Sequence, residues 1–383
     1  MSTAQITTPQ PDAIVNEPGK IQSLEGLRGL AALLVFFVHF NTAFGVYADP
    51  GSAVASFFQF ASTMGRSGVN LLFLLSGYLI YGGLIRKPTG YGYFLHRRLK
   101  RIYPAFLCVF ILHLLLRLTF FPEAALPSSP WDASVYIFQN LALLPGLLRI
   151  KPLITVAWSL SYQAFLYCTI PLLIGITRMR RWSSTARFNF FLGLAVLYGI
   201  LHLLFVDVSI PGIALFPAAH PRMIMFAVGI LAYEARTFEL IKRFASGGAC
   251  VVCAFSGLMA YYLFQTNPWL LSHLLTAIWS VAALGLCSFC LVLNSFVPAG
   301  MTQRALSWAP LRSLGNISYS FYLIQSLTLH ALLAVAARLW APVRMPPVLL
   351  PGIFAAALAV TAGAAFLLFR LVEKPCSTGT TGS

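Results

Sequence analysis

The stretch SLEGLRGLAALLVFFVHF, residues 23–40, sets how the rest of the chain is read. Every residue between Arg28 and His39 is apolar or glycine, and the run continues to Phe44 with only Asn41 and Thr42 as polar breaks. About 20 such residues, wound as a helix, cross the hydrocarbon core of a bilayer. Counting this one, such runs recur near 27–47, 68–86, 99–121, 154–177, 188–206, 221–236, 247–265, 270–293, 315–339 and 348–371. The composition agrees: 58% of the 383 residues are hydrophobic and 9% charged, against about 25% charged in a soluble domain. The expected fold is an all-α integral membrane protein, a bundle of about ten transmembrane helices. The bundle is expected over residues 23–373, between a polar tail at 1–22 rich in Thr, Pro and Gln and a loose tail at 374–383. The first run lies too far in, and lacks the small-residue cleavage site, for a cleaved signal peptide, so it is expected to remain as a span.

The formal charge of +16, from 26 Lys and Arg against 10 Asp and Glu, would suggest nucleic acid in a soluble protein. Here the basic residues collect in short loops between apolar runs, which is the pattern of cytoplasmic loops, and no nucleic-acid partner is expected. Arg86, Lys87, Arg97, Arg98, Lys100, Arg101, Arg178, Arg180, Arg181, Arg187, Arg236, Lys242 and Arg243 then fall on the inner side. Both termini are expected in the cytoplasm of a multi-pass plasma (inner) membrane protein. Cys250 with Cys253 and Cys287 with Cys290 resemble metal-binding pairs in spacing alone. They sit in uninterrupted apolar runs and are expected to pack helix against helix, with no metal site.

Ionisable groups inside a span are costly, so each is a functional candidate by default. Arg28 and His39 are eleven positions apart, which at about 100° per residue returns to within about 20° of one face, about 16 Å along the axis. A guanidinium near one surface suits phosphate, and a deeper neutral imidazole suits general-base work. The plain alternatives are an Arg28 that reaches the lipid headgroups and a His39 bonded to a neighbouring helix. His113, His202 and His273 read as interhelical hydrogen-bonding residues. No G-x-S-x-G elbow, P-loop or dinucleotide fingerprint occurs, and Cys108 and Cys168 lack the partners of a thiol enzyme.

The first span resembles that of acyltransferase family 3, membrane proteins that include O-antigen, exopolysaccharide and Nod-factor O-acetyltransferases and macrolide acyltransferases. Further matches come in the family's order: GVNLLFLLSGYLI at 68–80, HRRLKRIYPAF at 96–106, WSLSYQ at 158–163, RMIMFAVGILAYE at 222–234, SLGNISYSFYLIQ at 313–325 and EKP at 373–375. The resemblance implies a ten-helix bundle, His39 as the essential histidine and Arg28 as its paired arginine. It also implies that Arg97, Arg98 and Arg101, in the R-R-x-x-R element, meet the donor's phosphates; an ordinary cytoplasmic basic cluster is the competing reading. Ser76, Trp158, Ser159, Tyr319 and Tyr322 fall on recurring pattern positions and are expected to line substrate or to pack. No appended SGNH-type domain is expected.

Three departures bear on the chemistry. Gln163 stands where relatives carry a carboxylate that could orient His39, Asn70 where many carry Asp, and Gln325 where many carry His. The implied activity is transfer of an acyl group, most simply acetyl, from acyl-CoA to a hydroxyl of a carbohydrate or other polyol. No permanently bound cofactor is expected, and the partners are the donor, the acceptor and the bilayer. The alternatives are a transporter or flippase for a lipid-linked or acylated glycan, and a catalytically weakened relative with Gln163 as its mark. The orientation is testable in a background whose own cysteines are replaced. A membrane-impermeant thiol reagent on intact cells should label a cysteine at Asn267 and spare one at Thr185, whereas the reverse labelling would invert the bundle.

Overall fold

The computed structural model describes residues 21–49, 51–120, 126–148, 150–205, 221–267, 273–340 and 346–378. Residues 1–20 of the expected tail, the end of the chain past 378, Arg149, and parts of the runs near 188–206 and 270–293 lie outside the described residues. The described residues are mostly helical, with no strand among them. In chain order the helices are α1 (Gln22–Phe44), α2 (Ala53–Gly65), α3 (Ser67–Arg86), α4 (Tyr91–Phe120), α5 (Pro130–Leu141), α6 (Ala157–Ile176), α7 (Ser184–Phe205) and α8 (Ile224–Ala235). They continue as α9 (Glu239–Ser246), α10 (Gly248–Thr266), α11 (His273–Asn294), α12 (Met301–Leu306), α13 (Ala309–Asn316), α14 (Ser318–Trp340), α15 (Leu350–Leu368) and α16 (Lys374–Thr378). A π-helical turn, Phe369–Glu373, joins the last two.

Eight described stretches are long and apolar enough to cross a membrane, and two shorter apolar helices, Ile224–Ala235 and Ile278–Asn294, coincide with the other two expected runs. In lipid, backbone N–H and C=O groups have no water to turn to, and a helix satisfies them within its own length. The pattern of apolar runs leaves residues 48–67 and 294–314 as connections, and the structure makes helices of both. Ser52 caps α2 by accepting a hydrogen bond from the Ala55 N–H at 3.1 Å. Phe57 and Phe58 of α2 then pack on Phe37 of α1. The region 135–148 holds only the 12-residue α5, too short to span.

Glycine sets how close the helices come. A Cβ at Gly77 would lie 2.1 Å from the Phe226 carbonyl oxygen, and one at Gly229 would lie 2.0 Å from that of Leu74. α3 and α8 therefore touch backbone to backbone through reciprocal glycines. The start of α1 is held in the same way by α12 and α13: Gly26 faces the Leu306 carbonyl, Gly29 that of Leu311, and Gly315 that of Glu25. Lipid tails are as apolar as leucine, so this close packing, not a hydrophobic contrast, draws the helices together. Cys250 and Cys290 belong to the same kind of contact, with the Cys250 Sγ 3.5 Å from the Cys290 carbonyl between α10 and α11.

At the basic end a buried ion pair ties three helices. Glu234 on α8 is 0% exposed; its Oε1 accepts from Arg187 Nε and Tyr81 OH, each at 2.6 Å, and its Oε2 from Ser184 Oγ at 2.6 Å. Every lone-pair direction that matters is filled, which is the condition under which a buried charge is tolerated. The glycine contacts give the sharper test. Gly229→Val should destabilise the detergent-solubilised protein by about 1–3 kcal/mol, the usual cost of overpacking, while Gly193→Ala, with open space around it, should not. Equal thermal unfolding of the two variants would refute the backbone contact.

Candidate active site

Arg28 leaves the second turn of α1 with its Nη1 3.2 Å from Glu25 Oε2, an i, i+3 pair that holds the guanidinium along the helix. α4 supplies the facing arginines. Its 30 residues extend about 45 Å at 1.5 Å each, longer than the roughly 30 Å hydrocarbon core, and Arg97, Arg98, Lys100 and Arg101 fall within its first eleven residues. Arg98 lies over the Phe94 ring at 5.0 Å and the Tyr167 ring at 5.4 Å, a cation–π arrangement that fixes the planar head without using its N–H groups. Neither Arg98 nor Arg101 donates a hydrogen bond to another described residue.

These three arginines converge on a cavity of about 120 Å³ whose wall also includes Ser76, Gln163, Tyr167, Ser318, Tyr319 and Tyr322. Tyr319 donates to the Ile102 carbonyl at 2.7 Å, joining α14 to α4. The Tyr322 hydroxyl lies 2.8 Å from Ser159 Oγ and joins α14 to the start of α6. Seven of the residues singled out in the sequence, Arg28, Ser76, Arg98, Arg101, Gln163, Tyr319 and Tyr322, thus line one cavity. Four do not. Arg97 is exposed over Tyr93, Ser159 sits behind Tyr322, and Trp158 lies under Arg222, 5.3 Å from ring centroid to guanidinium.

The fourth is His39. It is half-buried, makes no hydrogen bond to another described residue, and has His330 of α14 within electrostatic reach. Phe36 and Phe40, on either side of it, pack on Phe321, Phe354, Phe44 and Phe58, so aromatic packing holds α1 still at this level. His113 is committed elsewhere: its Nδ1 faces the Val109 carbonyl at 3.0 Å and its Nε2 faces Ser326 Oγ at 3.2 Å.

Gln163 is not placed to orient His39. α6 runs towards the basic end, from Ser159 beside Tyr322 to Tyr167 beside Arg98, so position 163 falls among the arginines while His39 lies beyond Ser159 in the other direction. The Gln163 Oε1 accepts from Tyr167 OH at 3.4 Å. Asn70 and Gln325, the other two departures, are buried, and Asn70 Oδ1 and Gln325 Oε1 accept no hydrogen bond from a described residue. Both stand about one turn past the cavity, on the His39 side.

The family's sequence profile, described as an acyltransferase domain, matches residues 21–370. The chain belongs to acyltransferase family 3. Searches of curated proteins and of solved structures found no match. In this acyltransferase Arg28, at the cavity, and His39 lie on one helix, α1, inside the matched region and at two depths. No motif marks His330, and Glu373 enters the sequence pattern only as part of the closing EKP. Glu373 is 5% exposed and accepts from Ser320 Oγ at 2.6 Å.

Proposed function

We propose that the protein transfers an acyl group, most simply acetyl, from acyl-CoA to a hydroxyl of a carbohydrate or other polyol. The observation that carries this reading is the convergence of Arg28, Arg98 and Arg101 on one cavity, with His39 on the same face of the same helix about 16 Å deeper. The cavity's volume suits one end of a donor and not the whole of it. In this reading the basic end faces the cytoplasm, both termini lie there, and the protein resides in the plasma (inner) membrane. The donor's phosphates rest on guanidinium forks with N–H groups to spare, and the pantetheine arm runs inward past Asn70 and Gln325.

His39 then takes the proton of the acceptor hydroxyl, the oxygen attacks the thioester carbonyl, and the carbon–sulfur bond breaks. The proton passes to the leaving thiolate, so the products are an ester and the free thiol of CoA. A covalent route differs only in that a nitrogen of His39 carries the acyl group between two transfers; both routes need the imidazole. The helix at the level of His39 is held by the ring packing of Phe36 and Phe40, and His39 has no carboxylate partner among the described residues.

Two measurements test the reading. His39→Gln keeps size and hydrogen bonding but cannot move a proton at neutral pH, so turnover of acyl-CoA should fall by at least about 10²–10⁴, while donor binding stays at the parent value. A His39→Gln protein that turns over at the parent rate would end the mechanism. Arg101→Ala should weaken donor binding by about 1–3 kcal/mol, the scale of a charge-assisted hydrogen bond, and Gln163→Glu, which adds a carboxylate beside the same arginines, should weaken it too. Tighter donor binding in Gln163→Glu would mean that the phosphates sit elsewhere.

A further inference from the structure

The arginine cavity has a second carboxylate neighbour besides Glu25, and an irregular piece of helix brings it there. α15 does not end in a regular α-turn; it widens into the π-helix Phe369–Glu373, a rare form that shifts the register of the residues after it and recurs at functional sites. The widened turn and α16 dock on α4, the helix of Arg98 and Arg101. Glu373 ends the turn with its side chain buried, held by Ser320 through a 2.6 Å hydrogen bond. Ser320 sits between Tyr319 and Phe321 on α14, so the carboxylate lies behind the wall that Ser318 and Tyr319 present to the cavity. Arg28 and Arg101 are both within electrostatic reach of it, yet neither forms an ion pair with it; Arg28 pairs with Glu25 instead.

A carboxylate in that position does not hold the guanidinium groups by contact. It acts through its field, which in a dry, low-dielectric site is felt over several ångström. The field favours the free arginines and opposes any phosphate brought against them. We infer that Glu373 is a built-in counter-charge of the arginine cavity, which lowers its affinity for the nucleotide phosphates so that the spent CoA leaves. The inference rests on the reading that this cavity takes the donor's phosphates, and it makes Glu373 a tuning residue that does not touch the reacting atoms.

The test uses the purified full-length protein in detergent, with CoA itself as the probe in equilibrium binding. Glu373→Gln keeps the shape and the bond from Ser320 but removes the charge. It should bind CoA about tenfold more tightly at low salt, the order expected of one unit charge at an effective dielectric of about 20, with a steeper loss of affinity as salt is raised. KM for acyl-CoA should fall, and kcat should fall with it as CoA release slows. Glu373→Asp keeps the charge and should stay near the parent affinity, and Glu373→Met serves in place of Gln should that variant not fold. CoA binding by folded Glu373→Gln or Glu373→Met that is unchanged or weaker overturns the counter-charge. Arg101→Ala separates the two claims: if it binds CoA as the parent does, the donor-site reading fails, whereas if it weakens while Glu373→Gln stays unchanged, only the counter-charge fails.

Discussion

Backbone-to-backbone contact at reciprocal glycines is the constraint on which the rest of the structure depends. In a bilayer there is no gain from hiding leucine from lipid, so helices hold together where their surfaces come close enough for dispersion to count. Gly77 and Gly229 bring α3 against α8, and Gly26, Gly29 and Gly315 seat the first turns of α1 on α12 and α13. The second contact fixes where Arg28 points, because Glu25, its ion-pair partner, contributes the carbonyl oxygen that faces Gly315. The position of a charged group at the mouth of the cavity is thus set by a packing contact that carries no charge.

The charges divide into two kinds once they are traced to their partners. Glu234 and Arg187 are closed upon themselves, with Tyr81 and Ser184 filling the remaining directions, and such a group has nothing left to offer a ligand. Arg98 and Arg101 are the opposite case, Arg98 held over two ring faces and Arg101 by its place on α4, while their donors stay free of described partners. Clustered like charges oppose one another, and the carboxylates of Glu25 and Glu373 are the opposite charges within reach of this cluster. The two sites stand at the same end of the bundle, and only the second opens on a cavity.

Much of this is legible in the sequence, and the reasons differ by residue. The apolar runs are strong signals because the bilayer leaves little choice of secondary structure. α2 and the pair α12–α13 escape such a reading because they are short or amphipathic, and their helicity depends on the surface of α1 that they cover. Arg28, Ser76, Arg98, Arg101, Gln163, Tyr319 and Tyr322 are found through motif positions, and the cavity gathers them. What a motif does not convey is depth. The direction of α6 separates Gln163 from His39, and helix direction in space is a tertiary fact. Glu373 stands in plain view in the closing EKP, but its meaning lies in a π-turn that no residue pattern announces.

Depth is also what gives the site its logic. Arg28 and His39 share one face of α1, so any tilt of that helix moves both together, and the spacing between guanidinium and imidazole levels is fixed by helix rise. The aromatic packing of Phe36 and Phe40 on Phe321 and Phe354 keeps α1 from rotating against α14 and α15, so the spacing is preserved in direction as well as in length. On the proposed reading, a donor held by its phosphates at one level presents its thioester at the other. The side-chain carbonyl oxygens of Asn70 and Gln325, buried at the intermediate level, accept nothing from the described residues, and on the same reading they offer hydrogen-bond acceptors to the amide N–H groups of the donor's arm. An Asp at position 70 or a His at position 325 would place a charge or a titrating ring at that level, whereas this chain has neutral amides there.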